Sequence, residues 1–232
     1  MSGVAANLAR IRERMASAAA QSGRSPGRIR LIGASKAQPE ERLVEAWEAG
    51  LRIFGENRVQ EAVEKASRLP FEATWHLLGP LQSNKVRPAL GLFTAFHGVD
   101  RPKIALALDQ EARRQDRVVL GFLEINLAGE PTKHGFAPAT VAEEAEPLAG
   151  LEHLKIVGLM AIPPEVDDPQ EARPWFRQLR QLRDELDTRP EWHGRLTELS
   201  MGMSHDYEVA IREGATYVRV GTALFGDRPG AT

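Results

Sequence analysis

The chain of 232 residues contains no cysteine. This absence excludes disulfide bonds, thiolate metal ligands and a cysteine nucleophile, and it leaves the redox environment of the protein open. Neither sign of charge dominates, because 30 basic residues face 32 acidic ones and the formal net charge is -2. We therefore expect no nucleic-acid partner and no membrane partner, because the net charge of the protein is too small to attract either one electrostatically.

No apolar run approaches the roughly 20 residues that a transmembrane helix needs, and residues 1–22 lack the hydrophobic centre of a secretory signal. This start is Arg-rich and amphipathic, as organelle transit peptides are. Val4, Leu8, Ile11 and Met15 recur at three- and four-residue steps, however, which predicts a packed first helix. We expect a cytoplasmic protein with one domain over residues 1–232, since no linker or shift in composition divides the chain.

Eight short apolar stretches alternate with helical patterns. The predicted strands are residues 31–34, 51–54, 75–78, 93–99, 118–126, 154–162, 197–201 and 217–221. Eight such units with one extra helix at the start favour a single (β/α)8 TIM barrel, an α/β fold, and a doubly wound open sheet is the competing architecture. No exposed apolar stripe stands out, so we expect a monomer.

Lys36 follows the first predicted strand. Alternation with a period of two places Ile32, Ala34 and Lys36 on one face of that strand. If this face points into a barrel, the lysine stands in the mouth, at the carboxyl ends of the strands where barrels bind their ligands. Pro39 is expected in the first turn of the following helix.

The eighth unit carries a second signal. Gly221 and Thr222 end a strand and begin a short helix, where free N–H groups favour an anion such as phosphate; an ordinary turn with an N-cap is the alternative. Arg219 is expected to point into the barrel, where its permanent charge needs a partner. That partner is either Glu124 or Glu198 in a structural ion pair, or a bound ligand.

Ser200, in the seventh strand, can face the same pocket. Ser204 could offer its hydroxyl to an anion, but Ser204 and Asn57 are both expected to cap the helices that follow them. A strand-end lysine together with a phosphate cradle and an inward arginine suggests a phosphorylated aldehyde cofactor held as a Schiff base. Lysine suits that role because desolvation frees its amine as a nucleophile.

Other candidates carry weaker signals. The histidines show no paired-ligand spacing, so no metal site is expected. Further lysines could hold cofactor at the surface, although solvated side chains are the expected reading for Lys65, Lys85, Lys133 and Lys155.

Several segments of the chain resemble the pyridoxal-phosphate homeostasis protein family, whose fold is similar to the N-terminal barrel domain of alanine racemases. The matching segments are residues 34–36, 54–60, 76–85, 158–160, 199–204 and 218–226. The chain departs from the family pattern at Ala37, Gln38 and Leu77, and these departures leave the cofactor positions intact.

The resemblance implies pyridoxal 5'-phosphate as cofactor and a role in vitamin B6 and amino-acid homeostasis. It implies a Schiff base on Lys36, phosphate contacts at Ser200, Gly221 and Thr222, and Arg219 facing the pyridine nitrogen. Asn57 then lines the cofactor.

A cation beside the pyridine nitrogen disfavours its protonation, which weakens the cofactor as an electron sink. In the racemase relatives a tyrosine from a separate β domain supplies the second proton-transfer group. This chain ends soon after Gly221, and neither Tyr207 nor Tyr217 fits that role by spacing. We therefore expect a cofactor carrier without enzymatic turnover, with apo enzymes that use the cofactor as possible partners.

Two other functions stay open at this stage. One is a small single-domain amino-acid racemase, and the other is a barrel that binds a different sugar or nucleotide phosphate.

Overall fold

The structure is a computed structural model that describes residues 3–130 and 134–227. Within these ranges, eight parallel strands close into a barrel in chain order. They are β1 Arg30–Ala34, β2 Ile53–Glu56, β3 Thr74–Pro80, β4 Phe93–Val99, β5 Val119–Glu124, β6 Leu154–Met160, β7 Glu198–Ser200 and β8 Tyr217–Val220. Since β1 pairs with β8, with Ile32 opposite Arg219, the barrel prediction is confirmed and the open sheet is excluded.

Helices surround this barrel, and one precedes it as predicted. They are α1 Val4–Gln21, α2 Glu40–Glu48, α3 Val59–Arg68, α4 Val86–Leu90, α5 Pro102–Arg114, α6 Val141–Glu144, α7 Arg173–Asp187, α8 Tyr207–Arg212 and α9 Thr222–Phe225. Among the described residues, no helix combines the length and apolar character that crossing a membrane requires.

Strand alternation separates two apolar cores. Ile32, Phe122 and Tyr217 belong to a small cluster inside the barrel, whereas Val218 and Val220 belong to the large cluster between strands and helices. The alternation predicted for the first and last strands is therefore confirmed. It directs every second residue of these strands toward the barrel axis, where the candidate site residues lie.

The second strand begins two residues later than predicted, at Ile53. Leu51 instead closes the end of α2, because its N–H donates to the Ala46 carbonyl while Gly50 adopts a φ of 93°. This shift makes Glu56 the last residue of β2, inside the barrel wall rather than in a loop. Pro39 precedes α2 as its N-cap residue instead of occupying the first turn.

Candidate functional site

Lys36 lies at the carboxyl end of the barrel, in a turn just beyond the last residue of β1. Ile32 and Ala34 below it pack inside the barrel. The turn borders a cavity of about 510 Å³, which Lys36 lines together with Asn57. No hydrogen bond or ion pair engages the Lys36 amine within the described residues. This nitrogen is therefore available to a ligand.

The backbone of the turn is fixed on both sides of Lys36. The N–H of Ser35 donates to the Gly55 carbonyl at 2.9 Å. Ala37 has a φ of 56°, in the left-handed region that residues other than glycine rarely adopt. Its N–H donates to the Glu61 carboxylate of α3 at 2.9 Å. Contacts from β2 and α3 thus offset the strain of the turn that presents Lys36.

A buried ion pair lies next to this turn. Glu56 is 0% exposed, and its Oε1 accepts hydrogen bonds from Lys65 Nζ at 2.6 Å and from Ser35 Oγ at 2.7 Å. Lys65 Nζ also donates to the Ser35 carbonyl at 2.8 Å. Burial raises the pKa of Glu56, although the hydrogen bond and charge of Lys65 oppose that rise.

The solvated position expected for Lys65 is therefore wrong. Lys65 follows Val59 and Ala62 on the buried face of α3, and that helical spacing was the available signal. Lys85 is half-buried and Lys155 is exposed, whereas Lys133 lies outside the described residues.

Backbone N–H groups converge where β8 meets α9. The N–H groups of Gly221 and Ala223 donate to Ser204 Oγ at 3.1 and 3.3 Å. Thr222 begins α9 and is exposed. A Cβ at Gly221 would lie 3.2 Å from the Ala34 carbonyl oxygen, so glycine allows the ends of β8 and β1 to approach closely. Donors that converge on one oxygen also fit an oxygen of a phosphate group.

Neither predicted cap forms. Asp206 is the N-cap residue of α8, and the Ser204 hydroxyl turns to the start of α9 instead. Ser204 therefore joins the candidate site. Sequence reasoning preferred the cap to an anion contact for Ser204, because capping is the usual role of a serine before a helix. Arg58 is the N-cap residue of α3, and Asn57 lines the cavity.

Arg219 points into the barrel and is only 5% exposed. Its Nη1 donates to the Ser200 carbonyl at 2.9 Å and to Ser200 Oγ at 2.7 Å, and its Nη2 donates to the Ala161 carbonyl at 3.0 Å. Burial lowers the pKa of Arg219 to about 10, so the group stays charged at neutral pH. Within the described residues, no ion pair joins it to Glu124 or Glu198, and this alternative prediction is wrong.

The six predicted residues thus form three groups on neighbouring strands. A cavity joins Lys36 with Asn57, hydrogen bonds join Ser200 with Arg219, and the start of α9 joins Gly221 with Thr222.

A chain of hydrogen bonds continues from Arg219 into the barrel core. His97 Nδ1 lies 2.7 Å from Ser200 Oγ, and His97 Nε2 lies 3.0 Å from His76 Nδ1. The His97 ring stacks on Phe122 with centroids 4.3 Å apart. At the bond between the imidazoles, one nitrogen must carry a lone pair, so the two rings cannot both be fully protonated. Sequence reasoning missed this chain, although alternation with Trp75 and Leu77, which pack outside the barrel, points His76 inward.

The two imidazoles are held neutral by their surroundings. Burial lowers the pKa of His76 to about 4, with a smaller contribution from the charge of Arg30. Burial also lowers the pKa of His97 well below its ordinary value, helped by His76 and Arg219. The hydrogen-bond chain from His76 through His97 to Ser200 and Arg219 therefore contains no charged imidazole at neutral pH. Within the described residues, no cluster of three or more potential metal ligands occurs.

This burial predicts a pH dependence of stability. The unfolded chain protonates His76 near pH 6.5 and the folded protein only near 4, so the free energy of unfolding falls as the pH drops through that window. His76 alone contributes a loss of about 2 kcal/mol at about pH 5.

Glu124 has the opposite effect on stability. Burial and the charge of Asp100 raise the pKa of Glu124 to about 7, so its contribution makes the free energy of unfolding fall as the pH rises. Urea unfolding of the unsubstituted protein and of His76→Gln, compared at each pH, separates the two effects. A stability difference that stays constant between about pH 7 and pH 5 would contradict the role of His76.

The closed barrel and the lysine after its first strand define a class of protein, the barrels similar to the N-terminal domain of alanine racemases. Comparison with known proteins supports this class. The family model of the alanine racemase N-terminal domain matches residues 4–229. A solved structure of an alanine racemase from Clostridium difficile is similar with a TM-score of 0.73 and 16% identity, and the match covers 99% of this chain and 57% of that chain. At this identity the likeness shows the shared barrel fold alone.

More similar relatives define the family within that class. The pyridoxal phosphate homeostasis protein of Aquifex aeolicus is 44% identical over 222 residues, which is 95% of this chain and 96% of the relative. That of Escherichia coli K12 is 38% identical over 232 residues, or 98% of each. PipY of Synechococcus elongatus, solved with pyridoxal phosphate bound, has a TM-score of 0.84 at 40% identity and covers 96% of this chain. The chain belongs to the pyridoxal phosphate homeostasis protein family.

Proposed function

We propose that this protein binds pyridoxal 5'-phosphate as a Schiff base on Lys36 and acts in the homeostasis of that cofactor and of amino acids. The observation that carries the proposal is the Lys36 amine at the barrel mouth, which makes no hydrogen bond or ion pair among the described residues. The neighbouring strand β8 is followed by the N–H donors of Gly221 and Ala223. An amine for the aldehyde and N–H donors for the phosphate are the two anchors that the cofactor needs.

The residues present fit the group. Gly221, Thr222 and Ser204 hold the phosphate, and Asn57 lines the cofactor beside Lys36. Ser200 supports this end of the site through its hydrogen bonds with Arg219 and His97. The N–H groups of Gly221 and Ala223, which donate to Ser204 Oγ, would also be available to a phosphate oxygen beside that hydroxyl.

Arg219 favours storage of the cofactor over its use in catalysis. Bound pyridoxal phosphate supplies a pyridine ring that withdraws electrons well when its nitrogen is protonated. A guanidinium has donors and no acceptor, and its positive charge disfavours a proton on a neighbouring nitrogen. Arg219 bonds only neutral oxygens and forms no ion pair among the described residues, although the charges of Asp206 and Glu124 act on it without direct contact. We infer that the bound cofactor is a weak electron sink.

The two tyrosines also lie away from Lys36. Tyr217 starts β8, at the opposite end of the barrel, and its hydroxyl accepts a hydrogen bond from Arg30 at 2.8 Å. Tyr207 starts α8 and is 3% exposed. Burial raises the pKa of its hydroxyl, and the charge of Arg14 on α1 opposes that rise. A second proton-transfer group contributes about 10²- to 10⁴-fold to catalysis, and neither tyrosine supplies it. We therefore propose a carrier without turnover.

Reduction of the loaded protein with borohydride tests the covalent assignment. We expect the reduced cofactor on the proteolytic peptide that contains Lys36, detected by mass spectrometry. Cofactor found on other lysines with Lys36 free would overturn the proposal. Steady conversion of one alanine enantiomer into the other by the same preparation would overturn the absence of turnover and establish the racemase alternative.

We further propose that one domain, residues 1–232, works as a cytoplasmic monomer that passes cofactor to apo enzymes. The large apolar side chains exposed on the described residues are scattered over separate elements: Val63, Leu106, Val118, Ile162 and Met203. Such scattered residues do not form the contiguous patch of a permanent interface. Analytical ultracentrifugation that shows a stable dimer would contradict the monomer.

A further inference from the structure

A second cavity lies at the amino-terminal end of the barrel, opposite the candidate cofactor site. Arg30 at the start of β1 and Ile53 at the start of β2 line it, together with Arg12 and Met15 of α1. The whole of β1, about 15 Å long, separates this cavity from the turn that carries Lys36. Its volume of about 500 Å³ is within the range of roughly 300–1,000 Å³ that small-molecule sites occupy. A ligand in this cavity therefore does not compete with the cofactor.

The side-chain charges that line this cavity have one sign. Arg12, Arg30 and Arg52 line it, and no aspartate or glutamate lines it among the described residues. Arg30 has a carboxylate partner, because its Nη1 lies 3.4 Å from Glu198 Oε2. Arg12 and Arg52 form no ion pair within the described part of the chain. Three guanidinium groups thus face one carboxylate, which leaves an excess of two positive charges at the cavity.

The carboxyl end of α2 holds two of these side chains in place. Arg12 Nη2 donates to the Gly50 carbonyl at 2.7 Å, and Arg52 Nη1 donates to the Trp47 carbonyl at 2.8 Å. The Arg52 guanidinium carbon also lies 4.1 Å from the centre of the Trp47 ring. A helix end contributes only about half a negative charge. It therefore orients the two arginines and offsets a small part of their charge.

Two of the arginines keep a complete pair of donors for a ligand. Arg30 uses only Nη1, which donates to Tyr217 Oη at 2.8 Å as well as to Glu198. Arg52 likewise uses only Nη1. Nε and Nη2 of both side chains make no hydrogen bond within the described residues. These two nitrogens form the planar fork with which arginine binds two oxygens of a phosphate or a carboxylate.

An apolar wall completes the cavity. Met15, Ile29 and Leu51 line it and belong to the large core cluster. Cationic donors beside an apolar wall suit a ligand that combines an anionic group with a small organic body.

We propose that this cavity binds a small phosphate monoester. A phosphate monoester carries a charge of about -1.5 to -2 at neutral pH, which matches the excess of two positive charges. Its oxygens fit the forks of Arg30 and Arg52, and its organic body packs on Met15, Ile29 and Leu51. A monocarboxylate balances only one of the two charges. This site does not depend on the proposed function.

Binding of phenyl phosphate to the cofactor-loaded protein tests the proposal, at about pH 8, where the phosphate is a dianion. Isothermal titration calorimetry compares it with phenyl sulfate, which has the same shape and one negative charge, and with inorganic phosphate, which lacks the ring. We expect phenyl phosphate to bind at least about tenfold more tightly than either. Fluorescence of Trp47 gives a second readout, because Arg52 lies over its ring. Trp47→Phe should remove the change in fluorescence.

Variants assign the binding to this cavity. Arg12→Gln and Arg52→Gln should each weaken the binding of phenyl phosphate at least about tenfold, while cofactor loading on Lys36 stays normal. Arg52→Lys, which keeps the charge at the end of α2 and loses the fork, should weaken binding less. Arg113→Gln is the matched control and should bind normally, because Arg113 is an exposed arginine of α5 outside the cavity.

Unchanged affinity in Arg12→Gln and Arg52→Gln would overturn the assignment to this cavity, and so would an equal loss in Arg113→Gln. Phenyl sulfate that binds as tightly as phenyl phosphate would overturn the match to a dianion. A protein that binds none of the three probes would overturn the proposal as a whole, whether or not it carries pyridoxal phosphate on Lys36. Failure to load the cofactor would overturn the proposed function alone.

Discussion

Replacement of Lys36 by alanine is expected to abolish the visible absorbance of the protein-bound cofactor and to weaken cofactor binding at least about 100-fold, or roughly 3 kcal/mol. The change removes the amine that we propose forms the imine, while the phosphate donors of Gly221 and Ala223 remain. Absorbance spectra and equilibrium dialysis of the loaded protein measure the two effects.

Lys36→Ala should leave the fold intact, because the Lys36 side chain makes no hydrogen bond or ion pair within the described residues. Its urea midpoint is therefore expected to match that of the unsubstituted protein. Lys155→Ala is the matched control, since Lys155 is an exposed lysine on β6. A Lys36→Ala protein with an unchanged spectrum would contradict the assignment of the Schiff base.

Much of this site could be predicted, because the alternation along a strand determines which side chains face the barrel interior. Arg219 and Ile32 face the barrel interior as the period of two requires, and closure of the barrel sets them opposite each other in β8 and β1. Lys36 lies in the turn that follows β1 and lines the cavity at the carboxyl end of the barrel. These features depend on local periodicity, which a single sequence displays directly.

The supporting residues could not be predicted, because they depend on contacts between distant segments. β2 begins at Ile53 instead of residue 51, since Leu51 bonds to the end of α2, and it extends to Glu56, which was expected in a loop. Ser204 is indistinguishable from a helix cap until α9 is placed against it. The contact between His97 and Ser200 joins residues on β4 and β7, which no local pattern connects.

Both Glu56 and Lys65 act on Lys36 through the backbone of its turn. Glu56 holds the Ser35 hydroxyl and Lys65 holds the Ser35 carbonyl, so the pair fixes the residue that precedes Lys36. Glu61 holds the Ala37 N–H on the other side. These three residues thereby hold the turn that carries the Lys36 amine, and we expect their loss to affect both stability and cofactor binding.

Lys65→Met is expected to lower the free energy of unfolding by about 3–5 kcal/mol, because it leaves the Glu56 carboxylate buried without its cation. Urea unfolding measures this loss, and Lys155→Met is the exposed control. The pKa of Glu56 is already raised by burial and should rise further in the variant. A folded-state pKa above the unfolded one makes stability fall as pH rises, so the deficit of Lys65→Met should shrink as pH is lowered.

The double variant Glu56→Gln/Lys65→Met separates the buried charge from the packing of the pair. Removal of the stranded carboxylate charge should recover part of the lost stability and abolish the pH dependence of the deficit. Loading of Lys36 should remain impaired in both variants, since neither restores the bonds of Lys65 to Ser35. If Lys65→Met were as stable as the unsubstituted protein and bound the cofactor on Lys36 normally, the turn would hold Lys36 in place without this ion pair.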